Sequence, residues 1–499
     1  MENKTRLSTN IFFTLVQSIS IALIYFFLYR FLLKHLGVEQ LGVWSIVLAI
    51  SSTANITNLG IGASVIRFTA KLNFANDHQS INKLIHTSFF LIGGLFLMTG
   101  ILIYFIALHW LHYVIEKDYL ALSIQILPYS ILCLWLNAIS NSVFLPCMDG
   151  LQSNFRRSIL TTFTTALLLL ASIWLVPKHG LMGVAYAQII QAGVLLLLSV
   201  FVLKNLYTRL VFFPFIFDKT TLKQIFSFGI KEQVISFAQL CFDPLTKSLL
   251  ANFGGLSFVA YYEIANRFVT QARALLVSSN QVMMPLFTEA SERLDSSLDE
   301  LYKKNFTFIY LLSIMWVSAV IYFSFILSAL LFGKINSIFI FCSAVLSFAS
   351  FFNILCSPAY FSNMGCGNLN NNVIGNIIIA VLNVVFGFLL GQLLAGYGAV
   401  LGWGLALTLG SVFIIHTYHK AKHINMKMFL TWHSNINAVL MLVFTIGISF
   451  LFFRYSFLVW QMIAIGLPLL FIFSVFPFFN APQVKTISAT LRKQFGLHD

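Results

Sequence analysis

Seven charged residues sit where charge is least expected. Between Gln224 and Pro285 the chain reads as two consecutive membrane-spanning helices, yet it carries Lys231, Glu232, Asp243, Lys247, Glu263, Arg267 and Arg273. An ionised side chain near the centre of a lipid-facing helix costs roughly 3 kcal/mol, so seven would cost about 20 kcal/mol. These groups must therefore face each other, a neighbouring helix, or water inside the protein. At a helical turn of about 100° per residue, Glu232, Ser236, Gln239, Asp243 and Lys247 fall on one stripe of the first helix. Glu263, Arg267, Thr270 and Gln281 form a second stripe on the next helix, with Arg273 to its side. Antiparallel stacking predicts Asp243 beside Arg267, Lys247 beside Glu263 and Glu232 nearer Arg273. Pro244 frees the carbonyl of Leu240 next to these charges. A membrane tolerates such an irregularity only against protein or a wet cavity. One reading is a set of buried ion pairs that fixes helix packing. The other, which the rule for intramembrane charge favours, is a watered path for an ion or an anionic substrate.

The rest of the chain is the frame for this pair. The 499 residues are 59% hydrophobic and 9% charged, with mean hydropathy +0.88, which excludes a soluble fold and defines an all-α polytopic membrane protein. The net charge of +14 does not point to nucleic acid, because the basic residues cluster in short loops between apolar runs. Six cysteines have no metal-ligand spacing, so neither a metal centre nor a disulfide framework is expected. The opening apolar run is too long for a signal-peptide core and is read as a retained first helix. No phosphate loop, nucleophile elbow or dinucleotide fingerprint is present. No catalytic residue is assigned, and a transporter is expected in place of an enzyme.

About fourteen spans can be counted, centred near Ile21, Ala54, Phe96, Cys133, Leu168, Val194, Phe237, Gln271, Trp316, Ala349, Leu382, Leu409, Val443 and Leu467. Lys and Arg concentrate in one set of loops, about 20 against about five, which predicts both termini in the cytoplasm. The outer loops are short, the longest about a dozen residues from His109 to Tyr119, too small to house a glycan polymerase site.

The chain also repeats. LGVEQLGVW (Gly37, Gly42, Trp44) recurs as GGLSFVAYY (Gly255, Ala260, Tyr262), an offset of 218. HGLMGVAYA (Gly180) is matched to YGAVLGWGLA (Gly398) at the same offset, and Gly150 to Gly367 with one residue of slippage. Two six-helix lobes with two added C-terminal helices follow. The expected boundaries are 1–205 for the first lobe, 206–223 for a cytoplasmic linker, 224–420 for the second lobe and 421–499 for the last two helices and tail. Parallel repeats suggest alternating access with a site at their interface. The linker region KNLYTRLVFFPFIFDKTTLK reads either as a segment on the inner membrane surface or as a plain loop. Thr288–Lys304 reads as a solvated helix. His416, His419 and His423 read as an interfacial anchor. Asn353, Asn363, Asn368 and the run 370–372 read as capping and turn chemistry.

The stretch RFLLKHLGVEQLGVWSIVLAISSTANITNLGIGASVIRF (Arg30 to Phe68) resembles the start of Wzx-type oligosaccharide flippases. These form the polysaccharide transport branch of the multidrug/oligosaccharidyl-lipid/polysaccharide (MOP, MATE-like) exporter superfamily. The matching features are LG-x-x-x-x-G-x-W, the NLGIG stretch and the fourteen-span layout, so the resemblance extends over the whole chain. It implies transfer of undecaprenyl-pyrophosphate-linked repeat units to the outer leaflet of the bacterial inner membrane, for O-antigen or capsule. Lys231, Lys247, Arg267 and Arg273 would supply counter-charge to the pyrophosphate. Arg30, late in the first helix, either guards the outer mouth or snorkels to the interface. Glu232, Asp243 and Glu263, counted as the only acids inside spans, would carry coupling to H+ or Na+, with no other cofactor. A lipid-linked oligosaccharide and membrane lipids are the expected partners, with a glycan polymerase and a chain-length regulator. A lipid II flippase and a cation-coupled multidrug antiporter of the same superfamily are the alternatives. The first places arginines in helix one and early helix two, where this chain has only Arg30 and Arg67 at helix ends. The second resembles this fold but has usually twelve spans and often an acid in helix one, and this first span has none.

Overall fold

The computed structural model describes residues 2–53, 61–74, 77–151, 153–209, 218–281, 287, 297–366, 369–424, 443–444, 447–448, 451–452 and 459–470. Within these, the side chains of 2–15, 219–241 and a few scattered positions are not described. The elements are α1 (Glu2–Ser52), α2 (Ile61–Phe74), α3 (His78–Val114), α4 (Lys117–Ile139), α5 (Leu145–Gly150), α6 (Asn154–His179) and α7 (Leu181–Leu206). They continue as α8 (Lys219–Gln281), α9 (Ser297–Phe332), α10 (Ser337–Gly365), α11 (Asn370–Ala421) and α12 (Val459–Leu470). A π-helical turn, Ser140–Phe144, joins α4 to α5. Helices are what a spanning chain must adopt, because lipid offers no partner for a free backbone amide. Eight helices among the described residues are long and apolar enough to cross a membrane, so this is a multi-pass membrane protein.

Three helices are too long for one crossing. At 1.5 Å per residue a bilayer needs about 20 residues, whereas α1 has 51, α8 has 63 and α11 has 52. Each is broken once: α1 at Gly37, α8 at Gly255, and α11 at Leu394 and Ala395.

Those breaks display the repeat directly. Gly37 (φ 78, ψ 176) and Gly255 (φ 75, ψ 174) adopt the same left-handed conformation, which only glycine takes at low cost. They are the pair found in the sequence at an offset of 218. The second pairing is corrected by three residues. Gly180 (φ 57, ψ −136) is matched by Ala395 (φ 53, ψ −139), not by Gly398. Gly398 is instead the counterpart of Gly183. A Cβ on Gly183 would press on the carbonyl of Leu175, and one on Gly398 on that of Leu390, each eight residues earlier. Glycine spacing misled the alignment because the second copy makes its turn with alanine. Gly367 lies outside the described residues. Alanine at positive φ is strained by about 1–2 kcal/mol. Ala395→Gly is therefore expected to raise the melting temperature of the purified protein, and an unchanged or lower value would show that the turn carries no strain.

The chain divides into two compact units, Met1–Ala260 and Tyr261–Asp499. In the first, α6 packs on α1 and α7, α4 on α3 and α7, and α2 on α3 and α5. Its apolar core gathers Ile61, Val65, Ile85, Phe96, Phe144 and Met148. In the second, α10 packs between α9 and α11, and α12 lies on α9. The two arms of α11 meet through glycines: a Cβ on Gly402 would meet the backbone of Gly387, and one on Gly410 the carbonyl of Gly375. Small residues of this kind let membrane helices approach to backbone contact.

Each unit joins its helices with a histidine–tyrosine bond. His78 Nδ1, at the start of α3, lies 2.7 Å from the Tyr207 hydroxyl just past α7. The Tyr302 hydroxyl, near the start of α9, lies 2.7 Å from His419 Nε2 at the end of α11. His419 is therefore a buried core residue and not an interfacial anchor; His416 and His423 are exposed. Tyr302→Phe strips a fully buried bond and is expected to cost about 1–3 kcal/mol. A melting temperature equal to wild type would contradict this.

Among the described residues the connections are short. The expected dozen-residue loop at 109–119 shrinks to two residues, because α3 continues to Val114 and α4 starts at Lys117. Tyr119 donates from its hydroxyl to Glu39 Oε2 at 2.5 Å. The 288–304 stretch is described from Ser297, where it is helical and continuous with α9, with Lys304 2.7 Å from Glu300. The linker residues 210–217 lie outside the described residues, as do most of 425–458 and all of 471–499.

Candidate functional site

The charged stretch is helix α8, bent at Gly255. Its first arm belongs to the first unit and most of its second arm to the second, so each is described by itself.

On the first arm, Lys247 is buried at 4% exposure and its Nζ lies 2.7 Å from Asp243 Oδ2. Asp243 is more open. α8 runs on through Pro244, and the Ser248 hydroxyl donates to the carbonyl of Pro244 at 2.8 Å. On the second arm, Glu263 is buried at 4% exposure and Arg267 Nη2 donates to its Oε1 at 3.4 Å. Both pairs run along their own helix. The reason is local. In each pair the acid stands four residues before the base, the spacing and order in which a helix pairs charges without any neighbour.

Arg273 is arranged differently. Its Nη1 donates to Asn353 Oδ1 on α10, and Asn353 Nδ2 donates to Ser411 Oγ on the second arm of α11 at 3.2 Å. Asn353 thus stands in mid-helix and is not part of a turn. Asn363 and Asn372 do bridge the 365–370 turn: Asn363 Nδ2 donates to Asn372 Oδ1 at 3.0 Å, and Asn372 Nδ2 to the carbonyl of Tyr360 at 3.0 Å. Asn368 lies outside the described residues.

The remaining candidates are apart from these. Arg30 is exposed on α1, seven residues before the Gly37 bend. Lys231 and Glu232 lie on α8, but their side chains are outside the described residues, as are those of Ser236, Gln239 and Gln281. One acid was missed. Asp149, at the end of α5, has a side chain only 8% exposed and pairs with Arg157 on α6. Its place at a span end beside Gly150 concealed it, and α2 comes close to the chain at that glycine. A Cβ on Gly150 would meet Thr69 and the carbonyl of Ile66. Among the described residues, no cluster of three or more His, Cys, Asp or Glu could hold a metal ion.

The first unit thus holds one buried cation, Lys247, with a carboxylate one turn away, and the second unit holds Arg267 with its own carboxylate and Arg273 tied to a neutral amide. The architecture is that of known membrane transporters. A lipid II flippase, MurJ, in an inward closed conformation superposes with TM-score 0.70 at 14% identity, over 97% of this chain and 99% of that one. An inward-facing multidrug resistance MATE transporter of the MOP superfamily gives 0.67 at 16% identity, over 81% and 97%. A mutant form of the Vibrio cholerae MATE transporter VcmN gives 0.62 at 14% identity, over 85% and 99%. At these identities the likeness is one of fold. No curated protein matches the chain in sequence. The family described as "Polysaccharide biosynthesis protein" matches residues 7–291, more than half of the chain, and the chain belongs to that family.

Proposed function

We propose that this protein is a flippase for undecaprenyl-pyrophosphate-linked oligosaccharide repeat units, working by ion-coupled alternating access in surface polysaccharide biosynthesis, O-antigen or capsule. The observation that carries the reading is Arg273, a cation within the spanning helices whose described partner is the neutral Asn353. Membership of the polysaccharide biosynthesis family supports the cargo class. A pyrophosphate and a glycan cannot cross hydrocarbon unaided, and guanidinium groups suit phosphate oxygens. In this reading Lys231, Lys247, Arg267 and Arg273 meet the pyrophosphate, and Arg30 acts at the outer mouth. Glu232, Asp243 and Glu263 couple the cycle to H+ or Na+. The protein works in the bacterial inner membrane with both termini in the cytoplasm. The two lobes are 1–205 and 224–420, joined by 206–223 and followed by 421–499. A glycan polymerase and a chain-length regulator act on the delivered unit.

A lipid II flippase is the second reading, favoured by the near-complete superposition on MurJ. Both readings share the prenyl pyrophosphate and differ in the glycan. The test inactivates the gene in its host and follows surface polysaccharide on gels and the sidedness of lipid-linked units in vesicles. Loss of the polymer with units trapped on the inner leaflet, restored by wild type and not by Arg273→Ala or Arg267→Ala, is the expected result. Intact surface glycan with failing cell-wall synthesis would move the assignment to lipid II. Intact glycan with altered sensitivity to cationic drugs would move it to an antiporter.

A further inference from the structure

Three cations of α8 have described side chains in this region, and they are held in two ways. Lys247 and Arg267 each have a carboxylate four residues earlier. Arg273 has none on its own helix: the positions three and four residues away are Thr270, Val269, Leu276 and Val277. It reaches to α10 and takes the side-chain oxygen of Asn353. That amide has its orientation set by Ser411, a fully buried residue of α11, whose Oγ receives the Nδ2 bond. With Nδ2 committed there, Oδ1 faces the guanidinium. The reverse orientation would set two donors against each other.

A neutral tether does something an acid cannot. It fixes the guanidinium in place while leaving its full positive charge and its other N–H donors for an incoming anion. A carboxylate at the same position would hold Arg273 equally well and cancel its charge. We propose that Asn353 and Ser411 are positioning residues that present Arg273, un-neutralised, to the phosphate oxygens of an anionic head group. The inference rests on the pyrophosphate-linked cargo put forward above and adds to it the means by which one cation is kept free. Because the tether ends on α10 and α11, an anion that takes hold of Arg273 also pulls on those two helices.

The test uses the purified full-length chain in nanodiscs, titrated with inorganic pyrophosphate and, separately, with farnesyl pyrophosphate. Asn353→Asp preserves the shape of the side chain and changes only its charge. It is expected to weaken farnesyl pyrophosphate binding by about 10-fold or more, a shift of about 1.4 kcal/mol. Asn353→Ser, which keeps a neutral oxygen, stays within about threefold of wild type, and Ser411→Ala weakens binding by about threefold. Arg273→Gln shows the Asn353→Asp loss, and the double variant binds no worse than Arg273→Gln alone. This last comparison does not depend on any single variant folding perfectly. Asn353→Asp binding as tightly as wild type, or its loss adding in full to that of Arg273→Gln, overturns the positioning role while leaving the cargo reading intact. Wild type binding neither probe overturns the cargo reading and the inference with it. Binding of inorganic pyrophosphate as tight as that of farnesyl pyrophosphate supports the anion site and overturns the lipid as its source.

Discussion

Gly42→Ala is expected to produce the largest loss of folded protein of any single methyl added to this chain's first unit. A Cβ at position 42 would lie 2.1 Å from the carbonyl oxygen of Leu256, 2.8 Å from its carbon and 3.2 Å from its Cα. All three are backbone atoms, so no side chain can rotate aside. The helix that follows the Gly37 bend would have to move bodily from the residue that follows the Gly255 bend. Overpacking of this kind costs typically about 1–3 kcal/mol, and rigid backbone on both sides places Gly42 at or beyond the upper end. The contact is a product of the repeat, since the first copy of the turn abuts the second through Gly42 and Leu256. Gly93→Ala is the control, because a Cβ there meets nothing within 4 Å. Thermal melting in detergent and yield from membranes read the outcome. If Gly42→Ala melts with Gly93→Ala and wild type, the close approach does not hold the protein together.

On the proposed flippase reading, Glu263→Gln is expected to have the largest effect on transport at little cost in stability. The carboxylate is buried, and glutamine keeps its shape and an acceptor oxygen for Arg267, so the fold should survive. What is lost is a group able to exchange charge for neutrality by taking a proton or releasing an ion. If Glu263 couples the cycle, sidedness assays in vesicles should show flipping about 5–150-fold slower under a gradient, the range of a typical coupling free energy. The residual rate should be the same with the gradient collapsed. Asp243→Asn applies the same test to the Lys247 pair. Transport that keeps its full gradient dependence in Glu263→Gln, Asp243→Asn and Glu232→Gln would leave the acids as fixed counter-ions and remove them from coupling.

Much of the fold is legible in the sequence. The apolar runs announced spanning helices, because a run of about 20 apolar residues satisfies its own backbone in lipid as a helix. Gly37 and Gly255 announced matching bends, because a left-handed turn selects glycine from its neighbours. The Asp243–Lys247 and Glu263–Arg267 pairs could have been read from spacing alone. Ala395 was not legible, since nothing in an alanine signals positive φ. It is held there by the packing of α11's two arms around Gly387, Gly402 and Gly398.

The sequence by itself determined that this chain spans the membrane repeatedly, that it is built twice over, and that one bent helix pair concentrates its charge. These follow from local properties: hydropathy, helical period, and the backbone freedom of particular residues. The tertiary structure decided which partners those charges take beyond their own helix. Asn353 lies 80 residues from Arg273 and Ser411 a further 58, His419 lies 117 from Tyr302, and Gly150 at the end of α5 meets Thr69 and Ile66 of α2. No periodicity connects such residues, because their meeting depends on how helices pack and not on what any one helix prefers.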